Sequence, residues 1–173
     1  MKRLAVLMIV FGVMLFFGCP VPLPTINLCQ KSVCSEPPDP GEEWPCDSEG
    51  AAAVLGYSPE GPVFAFEVQG VVPQADKDYT LIYYPDPWPG TGLLCLGTTT
   101  PDAETGAVAF DGAAFIGQDL PICGDENCPE GAKIWLVPSD DVDCTGQQMI
   151  AWNCTDILFE TVKIQYDYTP GDP

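Results

Sequence analysis

From Gly61 onward the chain runs in short stretches of alternating apolar and polar residues. Proline or glycine turns cut them about every eight to twelve residues. In residues 63–69, Phe64, Phe66 and Val68 share one face. Residues 79–84 are apolar on both faces, the pattern of a strand covered from both sides. Residues 93–96, 107–110 (resuming at 113–116), 133–137, 147–152 and 161–168 read as further strands, and 156–160 as a helical turn or part of a strand. Pro85-Asp86-Pro87-Trp88-Pro89-Gly90 must be a loop, because proline cannot donate to a ladder. The expected fold is all-β: one β-sandwich of about seven or eight strands over residues 61–169, with 170–173 as a disordered tail.

Residues 19–60 differ in kind. From Pro20 to Pro59 the chain holds eight prolines and three cysteines, with almost no periodic apolar pattern. Pro20-Val21-Pro22-Leu23-Pro24 and Pro37-Pro38-Asp39-Pro40 favour extended, polyproline-like backbone. This stretch reads as a stalk ahead of the sandwich. The alternative is that residues 51–57 supply the first strand of the domain.

The run of short strands and proline-bearing turns, such as Val72-Pro73 ahead of Tyr79, resembles immunoglobulin-like and fibronectin-like exported modules. The resemblance is one of architecture. The Cys…Trp…Cys spacing of immunoglobulin domains is absent, and fold alone does not carry function.

The N-terminus places the chain outside the cytosol. Met1-Lys2-Arg3 is basic, residues 4–17 are apolar apart from Gly12, and Gly18-Cys19 then gives way to proline. These are the parts of a secretory signal over residues 1–18, too short for a comfortable membrane span. Leu15-Phe16-Phe17-Gly18-Cys19 resembles the lipobox of prokaryotic lipoproteins, with Phe16 where leucine is usual. The resemblance implies that Cys19 is lipidated and becomes the mature N-terminus, tethered to a membrane without spanning it. An ordinary signal cut nearby and a retained anchor are the alternatives.

Cysteine usage agrees with export. Besides Cys19 there are eight: Cys29, Cys34, Cys46, Cys95, Cys123, Cys128, Cys144 and Cys154. An even set in an exported chain reads as a disulfide framework, here with 105 connectivities. Proximity along the chain favours Cys29–Cys34, Cys123–Cys128 and Cys144–Cys154, leaving Cys46 with Cys95. A four-cysteine zinc site is the rival reading. The chain has no histidine and its gaps sit at the edge of the zinc range.

Charge narrows the partners. Twenty-five acidic residues face six basic ones; without Lys2 and Arg3, four basic residues remain and the balance is −21. Such a surface repels nucleic acid and anionic headgroups and attracts cations. The partners expected are a membrane, through the lipid, and a protein or carbohydrate ligand.

Four features are candidates for chemistry. Asp140, Asp141 and Asp143, followed by Thr145 and Gly146, match the opening of a calcium loop, but Trp152 stands where the bidentate glutamate belongs. Calcium is the one cofactor the sequence suggests. Trp88 sits on a proline-stiffened loop with Tyr83 and Tyr84 just before it, a candidate stacking or anchoring surface. Asn153-Cys154-Thr155 is a glycosylation sequon. A carboxylate pair could serve a hydrolase, but among 25 acids none stands out. Without histidine the usual Ser–His and Cys–His machinery is excluded. The sequence therefore predicts an exported, lipid-anchored, disulfide-stabilised binding or structural module rather than an enzyme. A calcium-responsive extracellular domain and a secreted hydrolase are the alternatives.

Overall fold

The structure, a computed structural model, describes residues 22–33 and 44–171. The lipobox-like segment, Cys19 and Cys34 lie outside the described residues. Strands dominate, with two 3-10 turns at Ser139–Asp141 and Cys154–Asp156, and no α-helix is present among the described residues.

A five-stranded antiparallel sheet contains β1 (Thr25–Cys29), β2 (Ala52–Tyr57), β4 (Phe64–Val71), β7 (Ala107–Ala114) and β11 (Phe159–Glu160), in the order β11-β1-β2-β4-β7. A three-stranded sheet contains β5 (Tyr79–Tyr84), β6 (Leu94–Thr99) and β8 (Lys133–Pro138), in the order β6-β5-β8. Short pairs complete the fold: β3 (Glu60–Gly61) with β12 (Asp167–Tyr168), and β9 (Val142–Asp143) with β10 (Gln148–Met149). The two main sheets face each other, as a β-sandwich requires.

Of the stalk expected over residues 19–60, residues 25–29 and 52–57 are strands instead, the second as the alternative reading had it. These strands, β1 and β2, are both integral to the larger sheet. Thr25 pairs with Gly56 and Cys29 with Ala52. Leu28 and Leu55 are fully buried. A five-residue strand such as β1 carries too little alternation to stand out between prolines, and its burial is decided by neighbours distant in sequence. The strand expected over residues 161–168 is also mostly irregular. Isolated bridges join Ile164 to Ala132 and Tyr166 to Leu120 before β12 begins.

The two-faced strands have a definite cause. On one side of β5 and β8, Tyr79, Leu81, Tyr83, Ile134 and Leu136 meet Phe64, Phe66, Val68 and Val108 of the larger sheet. On the other side, Ile82, Tyr84, Trp135 and Val137 meet a cover formed by residues 142–157, including Val142, Met149 and Ile157, together with Phe159 from the edge strand β11 of the larger sheet. The smaller sheet is thus the middle layer of three. Each fully buried aromatic or branched side chain there contributes about 1.5–3 kcal/mol. Phe66 also fills the junction between β6 and β7. A Cβ on either Gly97 or Gly112 would come within 2.6 Å of its Cζ.

Candidate functional site

The Trp88 loop leaves the end of β5, where Tyr83 and Tyr84 point to opposite faces of the strand. Gly90, at φ +78°, lets the loop pass over the Tyr84 ring; a Cβ there would lie 2.5 Å from Cε2. Gly90 N–H donates to the Pro87 carbonyl (2.8 Å), and Met149 N–H donates to the Pro89 carbonyl (2.8 Å). The loop is therefore tied to β10 as well as to itself. The Asp86–Pro87 and Trp88–Pro89 peptide bonds are cis.

Below the loop is a polar mount that sequence reasoning missed. Asp125, buried at 6% exposure, accepts at both carboxylate oxygens. Tyr83 Oη donates to Oδ2 (2.6 Å), while Asp86 N–H (3.1 Å), Asn127 N–H (2.9 Å) and Asn127 Nδ2 (2.9 Å) donate to Oδ1. Asn127 Nδ2 also donates to Asp86 Oδ2 (2.8 Å), and Lys133 pairs with the same oxygen. One carboxylate thus joins β5, the Trp88 loop and the loop over residues 119–131. Burial pushes the Tyr83 hydroxyl well above its usual range, and its bond to the Asp125 carboxylate adds to the shift. Only the stretch Asp125-Glu126-Asn127 hinted at this mount, and nothing in its spacing said that the side chains turn inward.

Above the mount lies an aromatic cluster. Tyr84 stacks on Trp135 at 3.9 Å, and the Lys133 ammonium sits 6.0 Å from both ring centroids. Trp135 meets Trp152 and Phe159 edge-on at 6.0 and 5.0 Å. Trp88 meets Trp152 edge-on at 5.4 Å and keeps 38% of its surface exposed. Of the three aromatics expected to make contacts, only Trp88 reaches solvent. Tyr83 and Tyr84 are 0% and 3% exposed, a correction to their expected role. Being adjacent in a strand covered on both faces, they have no way to share the surface with Trp88.

The acidic stretch does not gather as a calcium loop. Asp141 is buried, its Oδ1 accepting from Asn153 Nδ2 at 2.8 Å. Burial raises its carboxyl above the usual value, with the Asn153 bond acting the other way. Asp143 Oδ1 instead accepts the N–H groups of Thr145 (3.0 Å) and Gly146 (2.8 Å), closing the β9–β10 turn. Asp140 is exposed. Among the described residues no three acidic or cysteine side chains converge as a metal site. Asn153 is exposed, with its amide already engaged on Asp141.

The disulfides correct the expected pairing. Cys29 bonds Cys46 across 17 residues, and Cys95 bonds Cys144 across 49. Cys154 is also disulfide-bonded. Cys123 and Cys128 are free and exposed. Proximity along the chain failed because sheet pairing brings distant segments together. β6 lies beside the β9–β10 turn, so Cys95 meets Cys144 rather than Cys46. By loop entropy the two described bridges contribute about 3 and about 4 kcal/mol.

One further opening is present. An open cleft of about 650 Å³ is lined by Gln30, Gln74, Thr155 and Asp156, among others. Of the two carboxylates that line it, Glu49 and Asp156, the second is already committed: Asp156 pairs with Lys77 (2.7 Å) and accepts from Gln74 (3.0 Å). Compared with known proteins, the chain matches no family, no curated protein and no solved structure.

Proposed function

We propose that this chain is an exported, lipid-anchored cell-surface module that works by binding, and that its Trp88 loop makes the contact. The observation that carries the reading is the disulfide framework. Bonds spanning 17 and 49 residues form and persist in oxidising compartments. The basic-apolar-Gly18-Cys19 start supplies the route out and the lipid attachment. The mature domain then stands at a membrane surface as a loop-presenting sandwich, immunoglobulin-like in that sense.

Contact through Trp88 is supported by its mounting. The loop is fixed by Asp125, Lys133 and β10 before any partner arrives, so little ordering entropy is lost on binding. A partly exposed indole on such a mount suits the face of a sugar ring or an apolar patch on a protein. Binding rather than catalysis is favoured because the well-placed carboxylates, Asp86, Asp125 and Asp156, are held by donors from their own chain.

The test is the intact mass of protein taken from its native membrane. The expected result is a chain beginning at Cys19, carrying lipid, with its disulfides closed. Unmodified thiols on a chain that still holds residues 1–18 in the cytosolic fraction would overturn the proposal.

A further inference from the structure

Cys123 and Cys128 stand apart from the other described cysteines. Cys29, Cys46, Cys95, Cys144 and Cys154 are all disulfide-bonded, whereas these two are thiols, both exposed and five positions apart in one loop. We propose that Cys123 and Cys128 form a surface dithiol site for thiol–disulfide exchange. The proposal rests on the export reading, because its co-reactant is a disulfide of the oxidising compartment, either a small molecule or a protein.

Local hydrogen bonds fold the chain back on itself between the two thiols. Asp125 N–H donates to the Ile122 carbonyl (3.0 Å), and Cys128 N–H donates to the Asp125 carbonyl (3.0 Å). Two turns that share Asp125, over residues 122–125 and 125–128, thus shorten the chain between the cysteines. A disulfide asks for Cα atoms about 4.4–6.8 Å apart. Gly124, at φ +110°, has open space where a side chain would stand, so the loop has room to adjust.

The loop does not depend on sulfur for its shape. Asp125 and Asn127, between the two cysteines, are buried and hold it to Tyr83 and Asp86. The Cys29–Cys46 and Cys95–Cys144 bonds instead close long loops and tie separate elements together. A bond between Cys123 and Cys128 would close a far shorter loop at the surface. It would gain less from loop entropy and be more open to attack.

The exchange balances as follows. The sulfur of one cysteine, as thiolate, attacks an external disulfide RS–SR, forming a mixed disulfide and releasing one RS−. The second cysteine then attacks the protein sulfur of that mixed disulfide, forming Cys123–Cys128 and releasing the second RS−. Two protein thiols are oxidised, one external disulfide is reduced to two thiols, and the two protons pass to the released thiolates.

The test equilibrates the purified full mature chain in glutathione buffers of graded oxidised-to-reduced ratio, quenches by alkylation and maps the bonds by peptide mass. The expected result is reversible closure of Cys123–Cys128 across ratios at which Cys29–Cys46 and Cys95–Cys144 stay closed. Its midpoint should lie at least about tenfold toward the oxidised side of theirs. In the same oxidised buffers Cys123→Ser should trap glutathione on Cys128. A pair that stays unlinked at every ratio, a pair that opens only together with the other bonds, or a Cys123→Ser chain that takes up no glutathione would overturn the proposal. Failure of the export reading shows separately, as reduced Cys29–Cys46 and Cys95–Cys144 in cells quenched before lysis.

Discussion

Glu160 is a carboxylate whose ionisation opposes the fold. Burial pushes its carboxyl up to about 7 from an ordinary 4.5, against a backbone hydrogen bond and the positive charges of Lys133 and Lys31. Its Oε2 is buried without a hydrogen-bond partner, as is the indole N–H of Trp135. Between those two pH values the folded chain holds a proton that the unfolded chain has released. Stability therefore falls as pH rises through this window. Glu160→Gln should flatten that slope and melt higher than the native chain above pH 7, by about 1–3 kcal/mol. Thermal melts across the window check it, and an unchanged slope in the variant would remove Glu160 as the cause. Asp140, Asp141 and Asp143 lead to a second expectation. Since Asp143 closes its own turn and Asp141 is buried, with Oδ1 held by Asn153 and no trio of acidic side chains converging there among the described residues, excess calcium should leave the melting midpoint where it is. An upward shift would restore a cation site to this stretch.

At the scale of elements, the polar mount and the loop it carries should separate under mutation. Asp125→Ala removes the acceptor for the Tyr83 hydroxyl and for the N–H groups of Asp86 and Asn127. Leaving those donors buried and unpaired should cost about 3 kcal/mol or more in denaturant unfolding. Trp88→Ala, at a side chain already 38% exposed, should cost no more than about 1 kcal/mol. A loss at Trp88 as large as that at Asp125 would make the tryptophan part of the core and not a contact. The Cys95–Cys144 bond joins β6 to the β9–β10 turn, and so the middle layer to its cover. Replacing both cysteines with serine should lower stability by about 2–4 kcal/mol while the circular dichroism of the sheet persists. A collapse of the sheet signal would show that the bond is needed for folding and does not merely stabilise the folded state.

Across the whole molecule the charge is strongly one-sided, and its few lysines are mostly spent internally. Lys77 pairs with Asp156, Lys133 with Asp86 and Lys163 with Glu130. What remains on the exterior is predominantly carboxylate, and its self-repulsion weakens the compact state. Raising salt shortens the screening length from about 10 Å at 0.1 M to about 3 Å at 1 M. The urea midpoint should rise between those conditions. A midpoint that falls would mean that the three lysine pairs outweigh the repulsion.

Much of this architecture was readable in the chain. Period-two alternation placed β4, doubly apolar runs placed β5 and β8, and proline placed the Trp88 loop, because each is a local preference written over a few consecutive residues. The count of cysteines and the basic-apolar start likewise need no folding to be seen. Other features came only with the fold. β1 was hidden in a proline-rich stretch, Cys95 met Cys144 rather than Cys46, Tyr83 and Tyr84 turned inward, and Asp125 became a buried staple. Each of these depends on which distant segment lies alongside. That is fixed by how two sheets and a cover layer share their buried faces, and no short window of sequence contains it.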